Sequence, residues 1–336
     1  MIKTLQAGRA IAALCVAAFH LSIMMGAPRY GGNEIFRAYT RLGDRGVDFF
    51  FVLSGFIILF AHSKDIGKPE AWSKYAYRRF VRLFPIYWLY TLIFAGLLAF
   101  IGGTDAKVPT TTMDWITSLT LIRFTDATPP LPVAWTLFHE LAFYIVFSIL
   151  IFNQRAGVAA LLLFGAVSIF LYHFPAPDEK TPFSVYTSAY NLYFLFGMGA
   201  YWLYQRGGRG IFESIFGLLV FLAAIAEIGI PHAFSPIVLV FGMALLLAGL
   251  TKIEASGNLK IPAFLAIIGD ASYTIYLTHS NFEGTILKIT RATHIQNIIG
   301  IELIYFISLF GAIAMGCLTY FIVEKPLLSF LRRHGR

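Results

Sequence analysis

The sequence predicts an all-α protein embedded in a membrane: a bundle of about ten transmembrane helices with both termini in the cytoplasm. Three observations carry this. Of the 336 residues, 58% are hydrophobic and only 13% are charged, about half the charge of a soluble domain. The apolar residues gather in continuous runs long enough to cross a bilayer as helices, not in the short alternating segments of an outer-membrane barrel. Lys and Arg are divided unevenly among the connecting segments, as the positive-inside rule requires. The same composition excludes other classes. With 33 Phe, 17 Tyr and 5 Trp the chain is too apolar to be disordered. Its two cysteines, Cys15 and Cys317, each sit inside an apolar run, so it is not a disulfide scaffold.

The ten predicted spans are 9–26, 44–61, 83–101, 134–152, 157–173, 190–205, 211–229, 234–251, 267–288 and 299–322. The first follows Lys3 and Arg9 and could pass for a signal peptide. It lacks a small-x-small cleavage site, and His20 interrupts its apolar stretch, so it reads as a retained helix. Ionisable residues inside a span cost several kcal/mol and are functional candidates by default. Arg9 and His20 lie 11 residues apart. On a helix this puts both on one face, about 16 Å apart along the axis. The alternative is a snorkelling arginine and a histidine that bonds a neighbouring helix.

The second span opens Gly46-Val47-Asp48 and continues through Ser54-Gly55-Phe56. Asp48 sits at its outer end, where the helix dipole favours a carboxylate. Ser54-Gly55 permits a close helix approach. No Gly-x-Ser-x-Gly turn surrounds that serine, so it is not read as a nucleophile. The third span is preceded by Tyr77-Arg78-Arg79-Phe80-Val81-Arg82-Leu83-Phe84-Pro85. If helical, Arg78 and Arg79 both reach Arg82. Such crowding calls for an anion, and guanidinium forks suit phosphate; the alternative is an anchor on lipid headgroups. Between the third and fourth spans, Trp115–Phe124 is apolar but too short to cross and is expected at the interface.

The fourth span begins Trp135-Thr136-Leu137-Phe138-His139-Glu140, with Tyr144 on the face of Glu140. A buried carboxylate there can take a proton, orient an imidazole or pair with an arginine. A zincin reading of His139-Glu140 fails because Phe143 stands where the second histidine is needed, and no metal is expected. The fifth to eighth spans are mainly apolar. The ninth carries Ser272, Tyr276 and His279 at i, i+4 and i+7, a polar stripe that lines a cavity or bonds its neighbours. Glu227 and Glu302 near outer helix ends read as ordinary surface carboxylates. Glu324-Lys325-Pro326 closes the tenth span.

With the N-terminus inside, 17 of the 26 Lys and Arg residues fall on the cytoplasmic side. Lys107 and Lys180 count among the outer residues, and Arg336 among the inner ones. The net charge of +8 therefore needs no nucleic acid. No repeat or long hydrophilic insertion appears, and residues 1–336 read as one membrane domain of the cytoplasmic (inner) membrane.

These motifs, in this order, resemble the acyltransferase family 3 membrane proteins. They are Arg9 with His20, the Gly46–Phe56 run, Arg79-x-x-Arg82-x-x-Pro85, Trp135-Thr136-Leu137 with Glu140, and Ser272-Tyr273 through His279. The likeness covers nearly the whole chain and is strongest to stand-alone members that O-acetylate exopolysaccharides and Nod factors. It implies an acyl-CoA donor, usually acetyl-CoA, and a hydroxyl acceptor on a glycan or lipid-linked glycan. His20 matches the family's essential histidine, Arg9 its essential arginine, Arg79 and Arg82 the pair associated with the donor, and Glu140 an important carboxylate. Gln6 stands where many members have Asp. The esterase-like domain fused to some members is absent from this sequence.

The expected mechanism makes His20 the general base, with Glu140 orienting its imidazole and Arg9, Arg78, Arg79 and Arg82 holding the donor. Tyr144 and Tyr276 are candidate oxyanion donors, and Ser272 and His279 candidate cavity-lining residues. An acetyl-histidine intermediate is the other route. Two competing classes remain: a transporter or flippase of a glycan or lipid-linked intermediate, for which intramembrane His, Glu and Arg serve as a relay, and a non-catalytic partner of a polysaccharide synthase.

Overall fold

The computed structural model describes residues 2–101, 108–174 and 181–334, and among these no strand occurs. Lys107, Lys180 and Arg336 of the charge count lie outside the described residues. In chain order the main helices are α1 (Lys3–Gly26), α2 (Arg45–His62), α3 (Trp72–Ile101), α4 (Thr112–Thr120), α5 (Trp135–Phe152), α6 (Gln154–Leu171), α7 (Tyr190–Gln205), α8 (Ile211–Ile225), α9 (Ser235–Ala255), α10 (Ala263–Ala292), α11 (Ile301–Thr319) and α12 (Lys325–His334). A π turn, Tyr320–Glu324, joins the last two.

Each of the ten apolar segments is helical. Seven helical segments among the described residues are long and apolar enough to cross a membrane: Lys3–Gly26, Arg37–Asp65, Pro69–Phe100, Pro132–Phe152, Gln154–Leu171, His232–Ala255 and Ile301–Arg333. The other three are α7, α8 and α10. Helices α7 and α8 have 16 and 15 residues. Helix α10 has 30 residues but is interrupted by Asp270, His279 and Glu283. Helix α3 begins at Trp72, well before the apolar run, so the basic segment 78–82 lies inside the helix. The short apolar segment around Trp115 forms α4, fixed to α3 by Tyr87 and Trp88. The Tyr87 hydroxyl and Trp88 Nε1 donate to the carbonyls of Ser118 and Leu119, each at 2.7 Å.

The chain divides into two compact units. One holds the segment up to Phe50 and the segment Lys260–His334; the other is Phe51–Leu259. In the first unit α1 packs on α10, because Gly269 presents no side chain to the Gln6 carbonyl. Leu21, Met25, Tyr30, Leu287, Ile304 and Tyr305 form one buried cluster, and Ala13, Ala17, Ala271, Ile275 and Ile313 another. In the second unit α2 and α7 touch backbone to backbone. Any Cβ on Gly55 would strike the Phe194 carbonyl, and one on Gly197 the Val52 carbonyl. This is the close approach that Ser54-Gly55 permits.

Candidate active site

In the first unit the polar residues of α1 and α10 meet in two pairs. Arg9 is buried, and its Nε donates to Ser272 Oγ at 2.9 Å. Farther along, His20 Nδ1 lies 2.8 Å from His279 Nε2, with the two rings nearly parallel at 10°. Both α1 residues thus face α10, as their 11-residue spacing requires, and the stripe on α10 bonds its neighbour. Ser272 is fully buried and His279 nearly so. Tyr276 is buried too, its ring edge-on to Phe50 at 5.8 Å.

The hydrogen bonds decide the histidine tautomers. His279 Nδ1 lies 2.9 Å from the Tyr276 carbonyl and 3.1 Å from that of Ile275. A carbonyl only accepts, so Nδ1 carries the proton and, in the neutral ring, Nε2 accepts. His20 Nδ1 must then donate to it. His20 Nε2 is left with a lone pair and no hydrogen-bond partner among the described residues, on a half-buried ring. That is the arrangement of a general base oriented by a second group.

The His20 imidazole bonds His279 within the first unit, and Glu140 accepts from groups of the second. In the second unit Ser54 Oγ donates to Glu140 Oε1 at 3.1 Å, and the Tyr144 hydroxyl donates to the same oxygen in a short hydrogen bond. A hydroxyl has one proton, and in this arrangement that of Tyr144 goes to Glu140.

The three arginines of the basic segment have different surroundings. The Arg79 guanidinium lies over the Tyr144 ring at 5.5 Å and donates from Nη2 to His62 Nε2 at 3.3 Å. His62 is fully buried; its Nδ1–H donates to Asp65 Oδ2 at 2.8 Å. Asp65, His62, Arg79, Tyr144 and Glu140 are therefore linked in series, and Tyr75 ties the series to α5 by donating to the Tyr144 carbonyl at 2.8 Å. Arg78, one residue away and turned by about 100°, is exposed and lines a surface cavity with Lys64 and Lys74. Arg82 is half-buried.

Four residues escaped the sequence reading in these roles. The context of Ser54 in the sequence points to close packing and carries no sign of its hydrogen bond to Glu140. His62 and Asp65 stand at the end of a span with the i, i+3 spacing of a helical pair, a legible signal. Glu283 extends the α10 stripe by one turn beyond His279; it is fully buried, and neither carboxyl oxygen is hydrogen-bonded among the described residues. Asp48 stands in the first turn of α2, as expected, and also pairs with Arg45 at 3.2 Å. No three His, Cys, Asp or Glu side chains among the described residues converge as a metal site would require.

A family model described as an acyltransferase domain matches residues 2–320. The chain is 29% identical over 316 residues to the exopolysaccharide production protein ExoZ of Rhizobium meliloti (strain 1021), covering 88% of this chain and 91% of that protein. It is 28% identical over 313 residues to nodulation protein 10 of Rhizobium leguminosarum bv. viciae, covering 84% and 82%. It is 26% identical over 383 aligned positions to acyltransferase MdmB of Streptomyces mycarofaciens, covering 99% and 93%. No solved structure matches.

Proposed function

The chain belongs to the acyltransferase-domain family, and from that premise we propose that it is a membrane O-acyltransferase that moves an acetyl group from acetyl-CoA to a hydroxyl of an exported or cell-surface glycan. The observation that carries this reading is the His20–His279 pair, which leaves His20 Nε2 free to take a proton. The names of two relatives, an exopolysaccharide production protein and a nodulation protein, support a glycan-related acceptor.

In the proposed reaction His20 Nε2 removes the proton of the acceptor hydroxyl as its oxygen attacks the thioester carbonyl. The new C–O bond forms, the C–S bond breaks, and the proton passes from His20 to the departing thiolate. The products are the O-acetyl ester and free CoA, with no net proton released. His279 holds the reactive tautomer. Arg9, Arg78, Arg79 and Arg82 are proposed to hold the donor. Glu140 acts as a positioning residue: it fixes Tyr144, whose ring supports the Arg79 guanidinium. The donor comes from the cytoplasm and the protein resides in the cytoplasmic membrane.

The test supplies membranes containing the protein with acetyl-labelled acetyl-CoA and follows label into lipid-linked and polymeric glycan. Wild type transfers label, and His20→Ala at matched, folded expression lowers transfer by about 10²-fold or more while retaining CoA binding. Absence of protein-dependent transfer, with acceptor membranes present, overturns the reading in favour of transport.

A further inference from the structure

The reading above uses only Arg78 of the cavity that this residue lines. The cavity has a volume of about 400 Å³, inside the range of small-molecule sites. Three cations reach it: Lys64 after α2, and Lys74 and Arg78 in the first two turns of α3. None of the three is ion-paired with a carboxylate among the described residues. The one carboxylate on the wall, Asp65, is engaged by His62. Lys74 and Arg78 are four residues apart and so share a helix face. They also stand at the positive end of the α3 dipole, where cations are disfavoured, and no acidic residue occupies that first turn. The fold thus gathers like charge where it is least comfortable, an arrangement relieved by an anion with several phosphates.

The lining also carries neutral polar and aromatic groups, Ser63, Tyr201, Gln205 and Phe60. The Tyr201 hydroxyl accepts from Gln205 Nε2 at 2.7 Å and lies 3.1 Å from Ser63 Oγ. Phe60 stands edge-on to the Tyr201 ring at 6.3 Å. Aromatic and hydrogen-bonding groups sharing one lining with three cations suit a phosphorylated nucleoside better than bare phosphate or a lipid headgroup.

Resting on the proposed acyl-CoA reading, we propose that Lys64, Lys74 and Arg78 form the subsite for the doubly phosphorylated adenosine end of the donor, distinct from the Arg79–Tyr144–Glu140 series. The donor is then recognised by its ribose phosphate as well as by its diphosphate, and Lys64 and Lys74 determine that specificity.

Titration calorimetry on the full chain in phosphatidylcholine nanodiscs tests this with CoA, dephospho-CoA and adenosine 3′,5′-bisphosphate. Wild type is expected to bind CoA at least tenfold more tightly than dephospho-CoA, with the bisphosphate competing. The Lys64→Ala, Lys74→Ala double variant loses that preference at an unchanged melting temperature, and Lys74→Arg keeps it. Equal affinity of wild type for CoA and dephospho-CoA overturns the inference without any variant, as does a double variant that keeps the preference. Loss of bisphosphate binding in discs containing phosphatidylglycerol assigns the basic wall to lipid and also overturns it. In either case label transfer from acetyl-CoA leaves the acyltransferase reading standing. Failure to bind any form of CoA, with no transfer, overturns both.

Discussion

A histidine acts as a base through a ring nitrogen that holds no proton, and which nitrogen that is depends on what the other one bonds. For His20 the answer comes from two carbonyls it never touches. Those of Ile275 and Tyr276 fix the proton on His279 Nδ1, and His279 Nε2 then fixes the proton on His20 Nδ1. In the proposed mechanism His279 is a positioning residue, and its removal should act on turnover rather than on donor affinity. His279→Ala is expected to lower kcat by about tenfold to a hundredfold with the KM for acetyl-CoA changed less than threefold, and His279→Gln, which can accept at a similar reach, to recover part of the loss. Steady-state kinetics separates the two parameters; a variant that raises KM alone rejects the assignment. The sequence made both histidines candidates, since each is an expensive residue in an apolar setting. It did not pair them, because 259 residues separate them.

At the scale of the helix, contact distance is set by what is missing. Gly55 and Gly197 let α2 and α7 touch through their backbones. Alanine at either position should force the helices apart at a cost of about 1–3 kcal/mol, read as a lower melting temperature in detergent. Gly96, which has open space around its Cα, is the control: Gly96→Ala should leave stability unchanged or slightly raised. Helix α4 carries a different device. Thr111 and Asp114 form a reciprocal capping box, and hydrogen bonds from Thr125 and Thr111 hold the Asp114 carboxyl below the usual aspartate range. A depressed carboxyl stabilises the fold above its unfolded value, near 3.9, and that contribution is lost as pH falls through the lower folded value. Hydrogen exchange should therefore show the amides of 112–120 protected at pH 5 and progressively less so on acidification below about pH 4. Asp114→Asn should flatten this dependence; an unchanged profile in that variant would assign the acid sensitivity elsewhere. The box is legible as Thr-x-x-Asp in the sequence, just ahead of the short apolar stretch expected at the interface.

At the scale of the whole molecule, parity tests the topology. The seven long apolar segments alone would leave the termini on opposite faces of the membrane. If α7, α8 and α10 cross as well, ten spans bring both termini to the same face, and the Lys and Arg distribution puts that face in the cytoplasm. A fluorescent protein fused to either terminus should then fold and fluoresce, and alkaline phosphatase fused after Arg336 should be inactive. An active phosphatase there would remove an odd number of the three helices from the count.

The sequence alone determined the helical class, the ten helical segments and the short roster of costly polar residues. Each follows from a local balance, because apolar length and backbone hydrogen bonding in lipid leave helix as the answer wherever the run is long enough. Spacing along one helix likewise put Arg9 with His20 on one face. Only the tertiary structure decided which of these residues meet. It gave His20 to His279, and Glu140 to Ser54. It also separated Arg78 from Arg79, although they adjoin in the chain. A side chain's hydrogen-bond partner depends on which helix packs against its face and in what register. Those are properties of contacts between distant segments, fixed by the glycines and small residues that set how closely two backbones approach.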